Sequence, residues 1–316
     1  MATFDANEDT ERDAGPARND ARPWLQRVGA YMRGLPARMV FNASEPIRIV
    51  IGRAARRPAE YPDIRWGKWL FICLALAALC LILIDPVTGR RQDHWPADFA
   101  FVADTFTKLG LGIWYIVPPL IWLVFANLVD WRALSRRSLL MFYNWTCMAF
   151  FLLSAAGFSG LTVLLLKNIV GRARPLNFKT VGDFSFHPLI FDSRYASFPS
   201  GHATVIGAVA AVLILLFPRW KYVVLPFAVW VASTRIFVGA HYPSDTVAGF
   251  GLGFGCAVAL SVIFARLGFI FLQLPAGLPV RKKTFRLLWP RAAGTRKDSG
   301  EQPPPLSHAP KLTDSL

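Results

Sequence analysis

Residues 198–218 read FPSGHATVIGAVAAVLILLFP: proline, serine, glycine and histidine in succession, then an uncharged apolar run to Pro218. A stretch of that kind is a membrane-crossing helix whose chemistry stands at one end. Further apolar segments lie on both sides of it, and a span needs about 20 residues. With it they give six segments, near 66–85, 109–129, 139–166, 202–218, 220–240 and 245–271. Across the whole chain 54% of residues are hydrophobic and the mean hydropathy is +0.37, more apolar surface than a soluble domain of 316 residues buries. The fold class expected is all-α: a polytopic membrane protein with six transmembrane helices in a bundle. Gly249, Gly251, Gly253 and Gly255 in the last segment have a spacing that suits close helix packing within the fold better than dimerisation. No feature of the sequence fixes an oligomeric state.

Orientation follows from the short flanks. Arg132, Arg136 and Arg137, then Arg219 and Lys221, then Arg281, Lys282, Lys283 and Arg286 mark one side, which cations assign to the cytoplasm. Arg90 and Arg91 in the first loop are balanced by Asp85, Asp93 and Asp98. Loops one, three and five are therefore expected to face outward, with both termini cytoplasmic. Three regions follow: 1–65, a cytoplasmic tail, partly disordered; 66–272, the membrane domain; and 273–316, a basic disordered tail. Residues 22–57 mix Trp24, Leu25, Val28, Tyr31, Met32 and Leu35 with arginines, which fits an interfacial amphipathic helix or a solvated basic linker. Cys73, Cys80, Cys147 and Cys256 all sit in apolar runs, as small buried hydrophobes rather than a disulfide framework. The start of the chain, with Asp5, Glu8, Asp9 and Glu11, does not read as a cleavable signal peptide. A net charge of +15 fits flanks facing anionic lipid, and no zinc pattern or RNA-binding motif points to nucleic acid.

Three polar groups stand out against this apolar background. Lys167 and Arg174 are seven residues apart, about two helical turns, and Pro175 follows. Taken alone, these cations and Arg172 also suit snorkelling anchors. Ser200, Gly201 and His202 lie at a helix N-terminus, where backbone N–H groups bind anions, although Pro-Ser-Gly-His is also an ordinary turn with a capping serine. Arg235 precedes His241 and Asp245, four residues apart, which lets the carboxylate hold one imidazole nitrogen or merely cap the sixth helix. On the topology above, all three groups fall at the outward ends of spans three to six. Two of the five histidines belong to this constellation. Arg172 and His187 are close enough in sequence to touch a headgroup or to be solvated loop residues.

Together, Lys167-x6-Arg174-Pro175, Pro199-Ser200-Gly201-His202 and Arg235-x5-His241-x3-Asp245 resemble the three-part signature of the type 2 phosphatidic acid phosphatase superfamily, over roughly residues 66–271. Thr234 stands where the family usually has Ser. The resemblance implies a lipid phosphatase in which His241 attacks phosphorus, Asp245 holds its ring, and His202 protonates the leaving oxygen and later activates water. Lys167, Arg174, Ser200, Gly201 and Arg235 would bind the phosphate. No acidic cluster accompanies them, so neither metal nor cofactor is expected. The partners expected are a phosphorylated membrane lipid and the bilayer of a bacterial-type inner membrane, with the site on the periplasmic face. Undecaprenyl diphosphate, lipid A, phosphatidylglycerol phosphate and phosphatidic acid all suit. A lipid phosphotransferase would use the same phosphohistidine; a non-catalytic transporter or scaffold would not need both histidines.

Overall fold

A computed structural model describes residues 22–56, 63–91 and 95–286. The segments 1–20 and 291–316, expected to be disordered, lie outside the described residues. All six apolar segments are helical: α2 (Trp66–Leu83), α5 (Ile113–Leu128), α6 (Arg136–Val170), α8 (Gly201–Leu216), α9 (Lys221–Phe237) and α10 (Pro243–Arg266). Four stretches among the described residues are long and apolar enough to cross a membrane, namely Trp66–Leu83, Asp98–Leu128, Arg136–Val170 and Pro243–Arg266. α8 and α9 are shorter, at 16 and 17 residues. The remaining helices are α1 (Arg22–Arg56), α3 (Asp85–Arg91), α4 (Ala97–Thr107) and α7 (Phe178–Val181).

Helices α8 and α10 form the centre of the molecule. Their backbones approach so closely that a Cβ at Gly207 would overlap the Phe250 carbonyl, one at Gly249 the Ser200 carbonyl and one at Gly253 the Thr204 carbonyl. The alternate glycines of α10 face α2 instead, Gly251 against Cys73 and Gly255 against Trp69. The glycine run thus serves packing within the chain, on two sides of one helix. Around this pair, Phe151 and Ala155 of α6 pack with Ala208, Ala211 and Val212 of α8 and Ala257 of α10. Ala203, Ile206 and Ala210 pack on Ala228, Val231 and Ala232 of α9. The large apolar side chains turned outward, such as Phe71, Leu161 and Tyr222, then suit contact with hydrocarbon rather than water.

The C-terminal boundary lies further on than expected. After α10 the chain forms a short antiparallel pair, β1 (Phe271–Leu272) with β2 (Val280–Arg281). Phe285 then inserts into the core, and Asn144 Nδ2 of α6 donates to the Thr284 carbonyl at 2.9 Å. Residues 273–286, assigned from their charge to a disordered tail, are therefore part of the packed domain. One aromatic with a core to enter outweighs the basic composition around it.

Helix α1 lies against the bundle end remote from residues 200–202. Tyr31 Oη donates to the Leu128 carbonyl at 2.7 Å, Asn42 Nδ2 to Asn127 and Val129 at 2.9 and 3.0 Å, and Arg53 Nη1 to Leu267 at 3.2 Å. Trp24, Leu25, Val40, Ile47 and Ile51 remain exposed on it. Of the stretch 22–57, the described residues 22–56 are helical.

Candidate active site

The site is assembled at the opposite end of the bundle, where α6 finishes, α8 starts, α9 finishes and α10 starts. Lys167 occupies the last turn of α6. Its spacing from Arg174 suggested one continuous helix face, but α6 stops at Val170 because Gly171 enters the left-handed region at φ 60° and returns its N–H to the Lys167 carbonyl at 2.9 Å. A side chain at 171 would also collide with the His187 carbonyl. Arg174 therefore reaches the site from an extended segment, its N–H donating to the Arg194 carbonyl at 2.9 Å.

Ser200 caps α8, its Oγ accepting from the Ala203 N–H. Its own N–H is occupied by the Asp245 carbonyl at 3.0 Å, so the backbone donors for an anion narrow to Gly201 and His202, whose N–H groups have no helical carbonyl one turn before them. A Cβ on Gly201 would stand 3.6 Å from Lys167 Nζ, which places the ammonium over this helix start. His202, half-buried, packs its ring on Gly110, where a Cβ would lie 2.9 Å from His202 Cδ2. Arg235, near the end of α9, is oriented by Thr107 Oγ1, to which its Nη1 donates at 3.1 Å. Thr234 spends its hydroxyl on the Val231 carbonyl at 2.6 Å, so it supports the helix rather than facing the site.

After α9, Gly239 at φ 71° turns the chain and delivers His241 to the same place. Its imidazole is buried, and Nδ1 has no hydrogen-bond partner, with Asp245 Oδ2 at 3.7 Å. Burial, reinforced by Lys167 and Arg235 and opposed by Asp245, holds the His241 pKa down at about 4. The ring is neutral at physiological pH and keeps a lone pair for attack. Arg174 Nε and Arg235 Nε are also buried without a partner. Lys167, Arg174 and Arg235 all act on His202 through their charge. Three cations crowded together with unpartnered donors repel one another, an arrangement that an anion relieves. Among the described residues, no cluster of His, Cys, Asp and Glu has the arrangement of a metal site.

All eight residues singled out from the sequence thus meet at one end of the bundle. Arg172 does not join them as a headgroup contact, because it is fully buried behind the site. His187 is an exposed loop residue that stacks edge-on against Tyr195 at a ring distance of 4.6 Å.

The profile of the PAP2 superfamily matches residues 148–269. Over 237 residues the chain is 36% identical to the lipid A 1-phosphatase of Rhizobium johnstonii, an alignment covering 74% of this chain and 95% of that protein. The chain belongs to the PAP2 superfamily. A second PAP2 relative, the lipid A 1-phosphatase of Rhizobium etli, is 35% identical over 227 residues, 71% of this chain and 96% of that one. Among solved structures, the transmembrane PAP2 type phosphatidylglycerolphosphate phosphatase from Bacillus subtilis superposes with a TM-score of 0.42 at 22% identity, covering 64% of this chain and 93% of that one. As a PAP2 member the chain is a membrane-embedded lipid phosphatase, a phosphoric ester hydrolase.

Proposed function

We propose that this phosphatase removes the 1-phosphate of lipid A through a phosphohistidine, at the periplasmic face of the inner membrane. The observation that carries the chemistry is the neutral, buried His241 set among Lys167, Arg174, Arg235 and the start of α8. Phosphoryl transfer asks a protein mainly to position the nucleophile and to stabilise charge on three equatorial oxygens. Here the three cations and the Gly201 and His202 N–H groups take the oxygens, His241 attacks phosphorus, and His202 gives its proton to the leaving oxygen. Asp245 stabilises the imidazolium as it forms. In the second step His202 removes a proton from water, which attacks the phosphohistidine and frees His241. The likeness to lipid A 1-phosphatases along nearly their whole length supports this choice of substrate.

Purified protein in mixed micelles, offered lipid A, undecaprenyl diphosphate, phosphatidylglycerol phosphate and phosphatidic acid, is expected to release phosphate fastest from lipid A. Release should persist in EDTA and without any added acceptor lipid. Faster turnover of another lipid would overturn the substrate, and dependence on an acceptor would make the protein a phosphotransferase. The face is tested separately. A cysteine replacing Phe184, which is 61% exposed in the loop between α7 and α8, should react with a membrane-impermeant reagent applied from the periplasmic side. Labelling from the cytoplasmic side alone would reverse the topology.

A further inference from the structure

Behind His241 and Asp245 lies a buried chain of charges whose further members, Arg172 and Asp85, have no part in the reaction as written. Asp245 Oδ1 accepts from Arg172 Nη1 at 2.7 Å, and Oδ2 accepts from Ser197 Oγ at 2.6 Å and the Tyr242 N–H at 2.9 Å. Arg172 passes on through Nη2 to Asp85 Oδ2 at 2.8 Å, and through Nη1 to Ser244 Oγ at 2.7 Å. The Asp183 carbonyl takes its remaining donors, at 3.3 Å from Nε and 3.0 Å from Nη2. Asp85 also accepts from the Ser244 N–H at 3.1 Å and from its hydroxyl. Asp85, Arg172 and Asp245 have no exposed side-chain surface.

A guanidinium held directly on Asp245 creates an electrostatic difficulty. Arg172 alone would cancel the carboxylate that His241 needs as it becomes an imidazolium. With Asp85 on the far side of the guanidinium, the hydrogen-bonded chain carries two negative charges and one positive, leaving a single negative charge to balance His241. Two of the hydrogen bonds that Asp85 accepts come from groups that can only donate, the Arg172 guanidinium and the Ser244 N–H; burial raises the Asp85 pKa, and the bonds from Ser244 and Arg172 oppose that rise. Burial works against the charged form of Arg172, but Asp245 and Asp85 outweigh it and raise its pKa.

We infer that Asp85, at the start of α3, is a positioning residue for the phosphoryl transfer: acting through Arg172, it restores beside Asp245 the negative charge that Arg172 would otherwise neutralise, while Ser197 and the Tyr242 N–H hold the Asp245 carboxylate in place. This rests on the reading of His241 as nucleophile and Asp245 as its partner.

The test uses the full-length protein in detergent with its lipid substrate. Asp85→Asn keeps the shape and one of the two acceptor oxygens but removes the charge. It is expected to lower kcat about 10- to 100-fold with KM nearly unchanged, and to lower phosphoenzyme accumulation by a similar factor. In the double variant Asp85→Asn/Arg172→Gln the pair's charges are removed together, so Asp245 again stands with one net negative charge. That variant should recover at least tenfold over Asp85→Asn, a rescue that a purely structural role does not produce. A kcat for Asp85→Asn within twofold of the wild type, or a folded double variant no faster than the single one, overturns the inference. Should Asp85→Asn fail to fold, the double variant carries the test alone: kcat within about tenfold of the wild type supports the inference, and loss of turnover in a folded protein overturns it. Asp245→Asn distinguishes the two levels. If it remains active, the reading of Asp245 itself fails; if it is dead while Asp85→Asn behaves as wild type, only the role of Asp85 fails.

Discussion

His241→Ala is expected to abolish turnover of every phosphorylated substrate, while His202→Ala slows the reaction by an amount set by the leaving group. The two rings have unequal work. Removing His241 removes the atom that bonds to phosphorus, so no covalent intermediate forms whatever departs. Removing His202 removes proton transfer, worth about 10²–10⁴-fold, and that loss shrinks when the departing oxygen needs no proton. An activated aryl phosphate or a diphosphate should therefore restore much of the His202→Ala rate, whereas an alkyl monoester should not. The geometry supports this division: His241 is buried with Asp245 Oδ2 3.7 Å from its Nδ1, a carboxylate placed to balance an imidazolium, while half-buried His202 sits in the first turn of α8, against Gly110. Rapid quench and mass spectrometry of His202→Ala should find phosphate on His241. Phosphate on His202, or equal losses for both variants with every leaving group, would exchange or dissolve the two roles.

Why the sequence disclosed these histidines and concealed Asp85 has a physical answer. Spans are legible because hydropathy is a local sum, and all six apolar segments are helices close to where their composition places them. The eight site residues are legible because each of the three groups is short and sits where an apolar run begins or ends. Asp85 has no such local mark. It follows the first span directly, where it reads as one loop anion among three, and its partners Arg172 and Ser244 lie 87 and 159 residues further along. A carboxylate against the end of a span is costly unless paired, which was the available signal; its partner was not. Thr107, Gly110 and Ser197 escaped for the same reason, since each acts only through a tertiary contact. The helix end at Gly171 escaped for a different one. Lys167-x6-Arg174 fits helical periodicity, but a glycine free to adopt positive φ ends the helix within that interval.

Gly253→Ala is expected to be the most damaging methyl addition between packed helices, in both stability and activity. At this position α10 rests on α8 with no side chain between them, and an added Cβ would overlap the Thr204 carbonyl and press on Ala208 N. Neither obstacle is a flexible side-chain end; both belong to the backbone of a helix, so the helices must separate. Overpacking of this kind costs about 1–3 kcal/mol, and more where backbone has to move. The functional loss should exceed the loss of stability, because the two helices carry different parts of the site. α8 brings Ser200, Gly201 and His202, while α10 brings Asp245, and the Ser200 N–H to Asp245 carbonyl bond of 3.0 Å ties their ends together. Parting them widens the gap between the phosphate cradle and the His241–Asp245 pair, and a displacement of about 1 Å can cost 10²-fold in rate. Gly157→Ala is the control. Its Cβ would meet nothing within 4 Å on exposed α6 surface, so it should be neutral or slightly stabilising, by about 0.5–1 kcal/mol from helix propensity. Thermal unfolding in detergent and turnover measured on the same preparations decide the matter. If Gly253→Ala unfolds and reacts like Gly157→Ala, the close approach of α8 and α10 does not hold the site together.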